Sequence, residues 1–104
     1  MTVQILSPPT QQFANSLRQN YPNPFSSWTV FRYSLARASR VTLVVYSITG
    51  QRVVTLFDGY RSPGAFTVTW DGRGSDGRRV ASGVYMYRAT MAGFSQTRKL
   101  SLTR

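Results

Sequence analysis

VTLVVYSITGQRVVTLF, residues 41–57, decides the fold. Val41, Leu43 and Val45 alternate with Thr42, Val44 and Tyr46. That period of two places successive side chains on opposite faces of a strand. Ile48-Thr49-Gly50-Gln51 breaks the alternation and RVVTLF resumes a strand-like composition, so the stretch reads as a β-hairpin turning at Gly50. The same pattern extends outward. Phe31, Tyr33 and Leu35 share one face, with Arg32 and Ser34 on the other, and Phe66, Val68 and Trp70 are in phase in FTVTW. VASGVYMYRATM and SQTRKLSLTR supply two last strands parted near Ala92–Gly93, the first with Tyr85 and Tyr87 on one face and Val84 and Met86 on the other. Residues 58–65, DGYRSPGA, predict a turn, and residues 71–78, DGRGSDGR, a long polar loop. No segment reads as a helix of useful length. About seven short strands at this spacing predict an all-β, immunoglobulin-like antiparallel β-sandwich. It has no disulfide, because the chain has no cysteine.

The 104 residues are enough for one domain, which buries roughly two-thirds of its unfolded surface. Residues 1–18, with SPPTQQ, read as a linker or irregular lead-in that Phe13 and Leu17 pin at helical spacing. Residues 19–104 form the sandwich. QNYPNPF, residues 19–25, holds two prolines, two asparagines and two aromatics. Proline fixes φ and drives the preceding residue out of the helical region, so this piece is stiff and turned or extended. Tyr21 and Phe25 are expected to fold back on the sandwich, worth about 3–5 kcal/mol for two rings at most.

The missing residue types exclude most chemistry. Histidine, cysteine and glutamate are absent, leaving Asp58, Asp71 and Asp76 as the only carboxylate side chains, each followed by glycine as in a turn. There is no imidazole base, no thiol nucleophile and no Cys-based zinc site, so the domain is expected not to be an enzyme and to carry no cofactor. WDGRGSDG suggests calcium, but a calcium loop of the helix–loop–helix type needs oxygen ligands at alternate positions and a bidentate Glu. Here Arg73 takes the third position, so no metal is expected.

The formal charge is +10, from twelve Arg and Lys99 against three Asp. Such a balance attracts phosphate and acidic polymers. The arginines are scattered, with no basic run of the kind that marks a nucleic-acid arm. Arg32 beside Tyr33 and Tyr87 beside Arg88 fall on opposite faces and make no stacking platform, so no nucleic acid is expected. Trp28, Tyr46 and Tyr60 would supply a sugar-binding strip but show no clustering. No stretch approaches the ~20 apolar residues of a membrane-spanning helix, so no membrane insertion is expected. TVQILSPP after Met1 has neither the basic nor the apolar region of a signal peptide.

QNYPNPF, FRYSL, VTLVVYSITGQRVVTL, a Pro–Gly turn, VTWDGRGSDGRRVASGVYMYR and FSQTRKLSL follow one another in that order. Together they resemble the C-terminal sorting domain of type IX secretion cargo in Bacteroidetes-type bacteria. The second half also resembles the immunoglobulin-like domain of flagellar hook-capping proteins. The resemblance implies a non-catalytic module at the C-terminus of a larger exported protein, in transit through the periplasm to the cell surface or medium. Its implied partners are the outer-membrane translocon and a sortase-like peptidase, with lipopolysaccharide or another acidic surface polymer as the attachment target. The implied recognition residues are Gly83, Tyr85 and Lys99, and the domain-opening motif is Asn20, Tyr21, Pro22, Asn23, Pro24 and Phe25. Packing alone accounts for Gly83 and Tyr85, whereas Lys99, the lone lysine, has no packing need. The family's NPFNPST is NPFSSWT here, with Trp28 added and acidic residues nearly gone. Exposed edges of the terminal strands are expected to contribute to recognition, and Arg98, Lys99 and Arg104 also blunt that edge. The alternatives are a carbohydrate- or surface-binding accessory module of a secreted enzyme and a structural domain of a flagellar-cap-like assembly.

Overall fold

The computed structural model describes residues 13–104. Seven strands form two antiparallel sheets: β1 (Ser16–Leu17), β2 (Thr29–Leu35), β3 (Ser39–Ser47), β4 (Arg52–Arg61), β5 (Gly64–Trp70), β6 (Gly83–Met91) and β7 (Phe94–Leu102). The smaller sheet has the order β1-β2-β5 and the larger β4-β3-β6-β7. The alternating apolar positions meet between them. Phe31, Tyr33 and Leu35 face Val41, Leu43, Val45, Tyr87, Ala89, Leu100 and Leu102 in one buried cluster. Each fully buried large apolar side chain contributes roughly 1.5–3 kcal/mol against exposure. Phe31 and Tyr87 join the two sheets edge-to-face, with centroids 4.6 Å apart.

Three local expectations change. The chain at Ser16–Leu17 is a short strand on β2, not a helical pin. Leu17 is buried and Arg18 N–H continues the ladder to Arg32 O at 2.9 Å, so the sheet begins inside the stretch expected to be lead-in. Residues 1–12 lie outside the described residues. The turn expected over 58–65 shrinks to Ser62–Pro63, because β4 runs through Asp58 and Gly59. Cross-strand partners explain why. Asp58 accepts a two-pronged bond from Arg40 at 2.8 and 3.0 Å, and the Phe57 ring covers Gly59, 3.3 Å from where a Cβ would stand. That Arg40 bond holds the Asp58 carboxyl below its usual range.

β4 also departs from simple alternation. Register shifts at Leu43/Val44 and Val45/Tyr46 admit extra residues on β4, so the adjacent pairs Val53–Val54 and Leu56–Phe57 all reach the core. At the corner where the chain crosses from β4 to β5, the Arg61 guanidinium lies between Phe57 and Phe66, 4.2 and 4.7 Å from the ring centroids.

Two buried tyrosines differ in one respect. Tyr87 O–H donates to Arg18 O at 2.8 Å and accepts from Asn20 N–H at 2.9 Å, whereas Tyr33 O–H has no partner among the described residues. An unpaired buried hydroxyl costs its desolvation, while a paired one that is deleted strands its partners. In urea unfolding, Tyr87→Phe should cost about 1–2 kcal/mol and Tyr33→Phe should be neutral or stabilising. Burial also raises the Tyr87 pKa above its ordinary 10.0 against smaller opposing effects of the Asn20 N–H and Arg98. The folded state therefore keeps a proton that the unfolded chain loses. Stability should fall as pH rises past 10, and Tyr87→Phe should remove part of that fall.

Candidate recognition surface

The opening segment lies along the last strand. Gln19 Nε2 donates to Lys99 O at 2.7 Å, and Ser101 N–H donates to Asn23 Oδ1 at 2.9 Å. Phe25 N–H donates to Ser101 O at 3.0 Å, and Thr103 N–H donates to Phe25 O at 2.8 Å, making a parallel bridge of Phe25 with Leu102. An edge strand exposes unpaired donors and acceptors that invite foreign strands. Here Gln19–Phe25 occupies that edge from Lys99 to Thr103.

Within the segment, burial is divided unevenly. Phe25 is buried, its ring 5.6 Å from Trp70. Tyr21 is 73% exposed, which corrects the expectation that both rings fold back. The residue that turns inward is Asn20, 2% exposed. Its Nδ2 donates to Thr29 Oγ1 at 3.0 Å and to Pro22 O at 3.3 Å, and its Oδ1 accepts from Gln19 Nε2 at 2.7 Å. Thr29 Oγ1 in turn donates to Pro22 O at 2.8 Å. Asn20 suits this site because its short amide satisfies donors and acceptors of a turn at once. The Tyr21–Pro22 and Asn23–Pro24 peptide bonds are both cis. Pro22 is half-buried, and Asn23 and Pro24 are exposed.

The three recognition residues carried over by resemblance do not converge. Gly83 opens β6 opposite Leu102 and is exposed, with open space where a Cβ would stand. Tyr85 is opposite Leu100 and packs edge-to-face on Trp70, 6.2 Å between centroids, while its O–H donates to Ala81 O at 2.5 Å. Lys99 is opposite Met86 and exposed, on the face that Tyr85 turns away from. Tyr85 therefore reads as packing, and Lys99 as an exposed charge whose side chain has no partner among the described residues.

The other final-strand cations are engaged elsewhere. Arg98 Nε donates to Leu17 O at 2.6 Å. Arg104 donates from Nε to Val80 O at 3.0 Å and from Nη2 to Gly72 O at 2.8 Å. φ at Gly72 is +76°, which strains any residue with a side chain, and a Cβ there would stand 2.7 Å from Arg104 Nη2 and push the guanidinium aside. Of the three expected edge guards, Lys99 alone projects freely, and the opening segment does the guarding.

The polar loop is held by its own aspartates. Asp71 Oδ1 accepts from Arg73 N–H at 3.2 Å, and Asp76 Oδ1 from Arg78 N–H at 2.9 Å, as turn-capping carboxylates do. Trp70 Nε1 donates to Arg73 O at 2.8 Å, and Ser75 N–H donates to Val53 O at 3.0 Å, tying the loop to β4. Between β4, the end of β5 and this loop lies an open groove of about 910 Å³ edged by Arg52, Leu56, Trp70 and Arg73. Among the described residues no three His, Cys, Asp or Glu side chains gather as metal ligands.

Residues 27–93 match the FlgD Ig-like domain family. The chain belongs to that family. No curated protein matches the sequence. Among solved structures, dimeric latent PorU from Porphyromonas gingivalis is similar to it with a TM-score of 0.70 and 22% identity, over 88% of this chain and 9% of PorU. PorZ of the same organism, described as an essential bacterial surface component of the type-IX secretion system, gives a TM-score of 0.50 and 22% identity, over 88% of this chain and 12% of PorZ. This chain thus spans about a tenth of either protein. At that identity the likeness is one of fold.

The FlgD Ig-like match takes in Gly83 and Tyr85 but stops short of Lys99, and it begins after QNYPNPF. The clamp of Gln19–Phe25 on Lys99–Thr103 joins the two stretches that flank the matched span. No periodicity signals such a pairing, since its partners are about eighty residues apart. Asn23→Ala should cost about 0.5–1.5 kcal/mol and speed amide hydrogen exchange at Ser101 more than at neighbouring β7 amides.

Proposed function

We propose that this FlgD Ig-like domain is a non-catalytic C-terminal sorting module of a larger exported protein, recognised by the outer-membrane type IX machinery. The observation that carries the reading is the shared fold, over 88% of this chain, with PorZ, described as an essential bacterial surface component of that system. The PorU likeness supports it over the same share of the chain. The residues present add support from chemistry. With no imidazole, thiol or glutamate, and with both loop aspartates committed to turn N–H groups, the domain offers surface shape and charge.

The reading places the module at the cell surface or in the medium after transit through the periplasm. Its partners are the translocon and a sortase-like peptidase, with lipopolysaccharide or another acidic polymer as the attachment target. Recognition works chiefly through side chains, because the opening segment already holds the β7 edge from Lys99 to Thr103. Lys99 is the residue assigned to contact the machinery. Its side chain is exposed next to Met86, and only its backbone carbonyl serves the fold.

A signal peptide and a fluorescent reporter fused ahead of residues 1–104, expressed in a bacterium with type IX secretion, test the reading. The reporter should reach the surface or medium with the complete domain and stay periplasmic when the chain stops before Ser95. That truncation also removes the core residues Leu100 and Leu102. Lys99→Ala, which leaves the core intact, should therefore lower export of a domain that still melts cooperatively. Retention of the complete fusion in the periplasm, or equal export by both lengths, would overturn the sorting reading.

A further inference from the structure

The outer face of the smaller sheet carries a charge arrangement that the fold leaves uncompensated. The ladder Ser16↔Ser34, Leu17↔Tyr33 continues through the Arg18 N–H to Arg32 O bond, so Arg18 and Arg32 stand side by side on neighbouring strands. Arg32 is also opposite Thr67 of β5. Both arginines are exposed, and neither side chain has a hydrogen-bond or ion-pair partner among the described residues. Like charges directly opposite each other across a sheet repel and destabilise it.

The chain has no carboxylate side chain with which to neutralise them. Asp58 is bound to Arg40 on the larger sheet, and Asp71 and Asp76 cap turns of the 71–77 loop. Residues 1–12 contain no Asp or Glu. Over the pair lies a pocket of about 370 Å³, walled by Phe13 and by Arg18 and Arg32, with Ser16, Ser34 and Thr67 among its lining. That volume lies at the small end of the usual range for ligand sites. Two guanidinium groups beside the Thr67 hydroxyl suit a hydrogen-bonding anion, and Phe13, Tyr33 and Phe66 in the same lining offer apolar surface to the group that carries it.

We infer that Arg18 and Arg32 form a binding site for an oxyanion of the phosphate-ester type, which converts the repulsion between them into two charge-assisted contacts. The anion arrives either as free phosphate or on a sugar, and the pocket leaves room beside the arginines for a sugar ring. The site is on the smaller sheet, away from Lys99 on β7 of the larger one, so it stands or falls independently of the sorting reading.

The experiment uses the whole chain, with inorganic phosphate, glucose 1-phosphate and glucose as probes and chloride to match ionic strength. Both phosphates should raise Tm above the chloride control, and glucose should not. Arg18→Gln and Arg32→Gln are surface changes that relieve the like-charge contact, so each should melt no lower than the parent without anion. Each should also bind phosphate about tenfold more weakly, as expected for loss of one charge-assisted contact. Arg78→Gln, on the exposed loop, should bind like the parent. Tighter binding of glucose 1-phosphate than phosphate assigns a sugar-borne anion, and equal binding assigns free phosphate. Unchanged phosphate binding in both Arg18→Gln and Arg32→Gln, or an equal loss in Arg78→Gln, would overturn the site and leave only diffuse attraction to a cationic domain.

Discussion

The Tyr87 hydroxyl is the interaction on which the arrangement of this domain depends. It sits in the middle of the core strand β6, fully buried, yet its two hydrogen bonds go to backbone groups at Arg18 and Asn20. A buried hydroxyl must find partners, and here the partners belong to the segment leading into the sandwich. That requirement draws residues 18–20 under the larger sheet and fixes where the rest of QNYPNPF must run. Asn20 then organises the turn through Thr29 and Pro22, and Gln19, Asn23 and Phe25 fall against β7. One phenol thus links core packing to edge protection. The aromatic contact with Phe31 holds the ring that carries it.

Edge protection by a chain segment has a consequence for recognition. A sandwich of this kind ends in strands whose backbone groups are open to a partner, and β7 would be a natural site for strand addition. The opening segment holds that edge from Lys99 to Thr103, so a protein that reads the domain there meets side chains and a sealed backbone. Among the described residues, the long edges left without a strand partner are β4, β5 and the Phe94–Arg98 half of β7; β4 and β5 face each other across the groove edged by Arg52 and Arg73. The bulged, arginine-bearing β4 is a poor template for uncontrolled pairing.

Charge is distributed by the scarcity of acids. Three aspartates serve thirteen cations, and each aspartate is placed where it does local structural work, against Arg40 or on turn N–H groups. Some arginines are consumed by carbonyls, as Arg98 and Arg104 are, and one by aromatic rings, as Arg61 is. Others, such as Arg18 and Arg32, have no hydrogen-bond or ion-pair partner for the side chain among the described residues. A strongly cationic surface is therefore built into the domain, and it weakens with salt wherever it acts through exposed groups.

The sequence by itself determined the sandwich and most of its inward-facing residues. A period of two is a local property, and Phe31-Tyr33-Leu35, Val41-Leu43-Val45, Phe66-Val68-Trp70 and Tyr85-Tyr87 each carry it within a few residues. The same locality explains the misreadings. Asp58-Gly59 looks like a turn until Arg40 and Phe57 hold it in β4, and Tyr21 looks like an anchor until Asn20 takes the interior. Tertiary contacts alone place QNYPNPF along the last strand from Lys99 to Thr103, pin the Gly72 loop with Arg104, and set Arg18 beside Arg32. These contacts join residues far apart in the chain or depend on strand register, which side-chain alternation leaves open until backbone hydrogen bonds fix it.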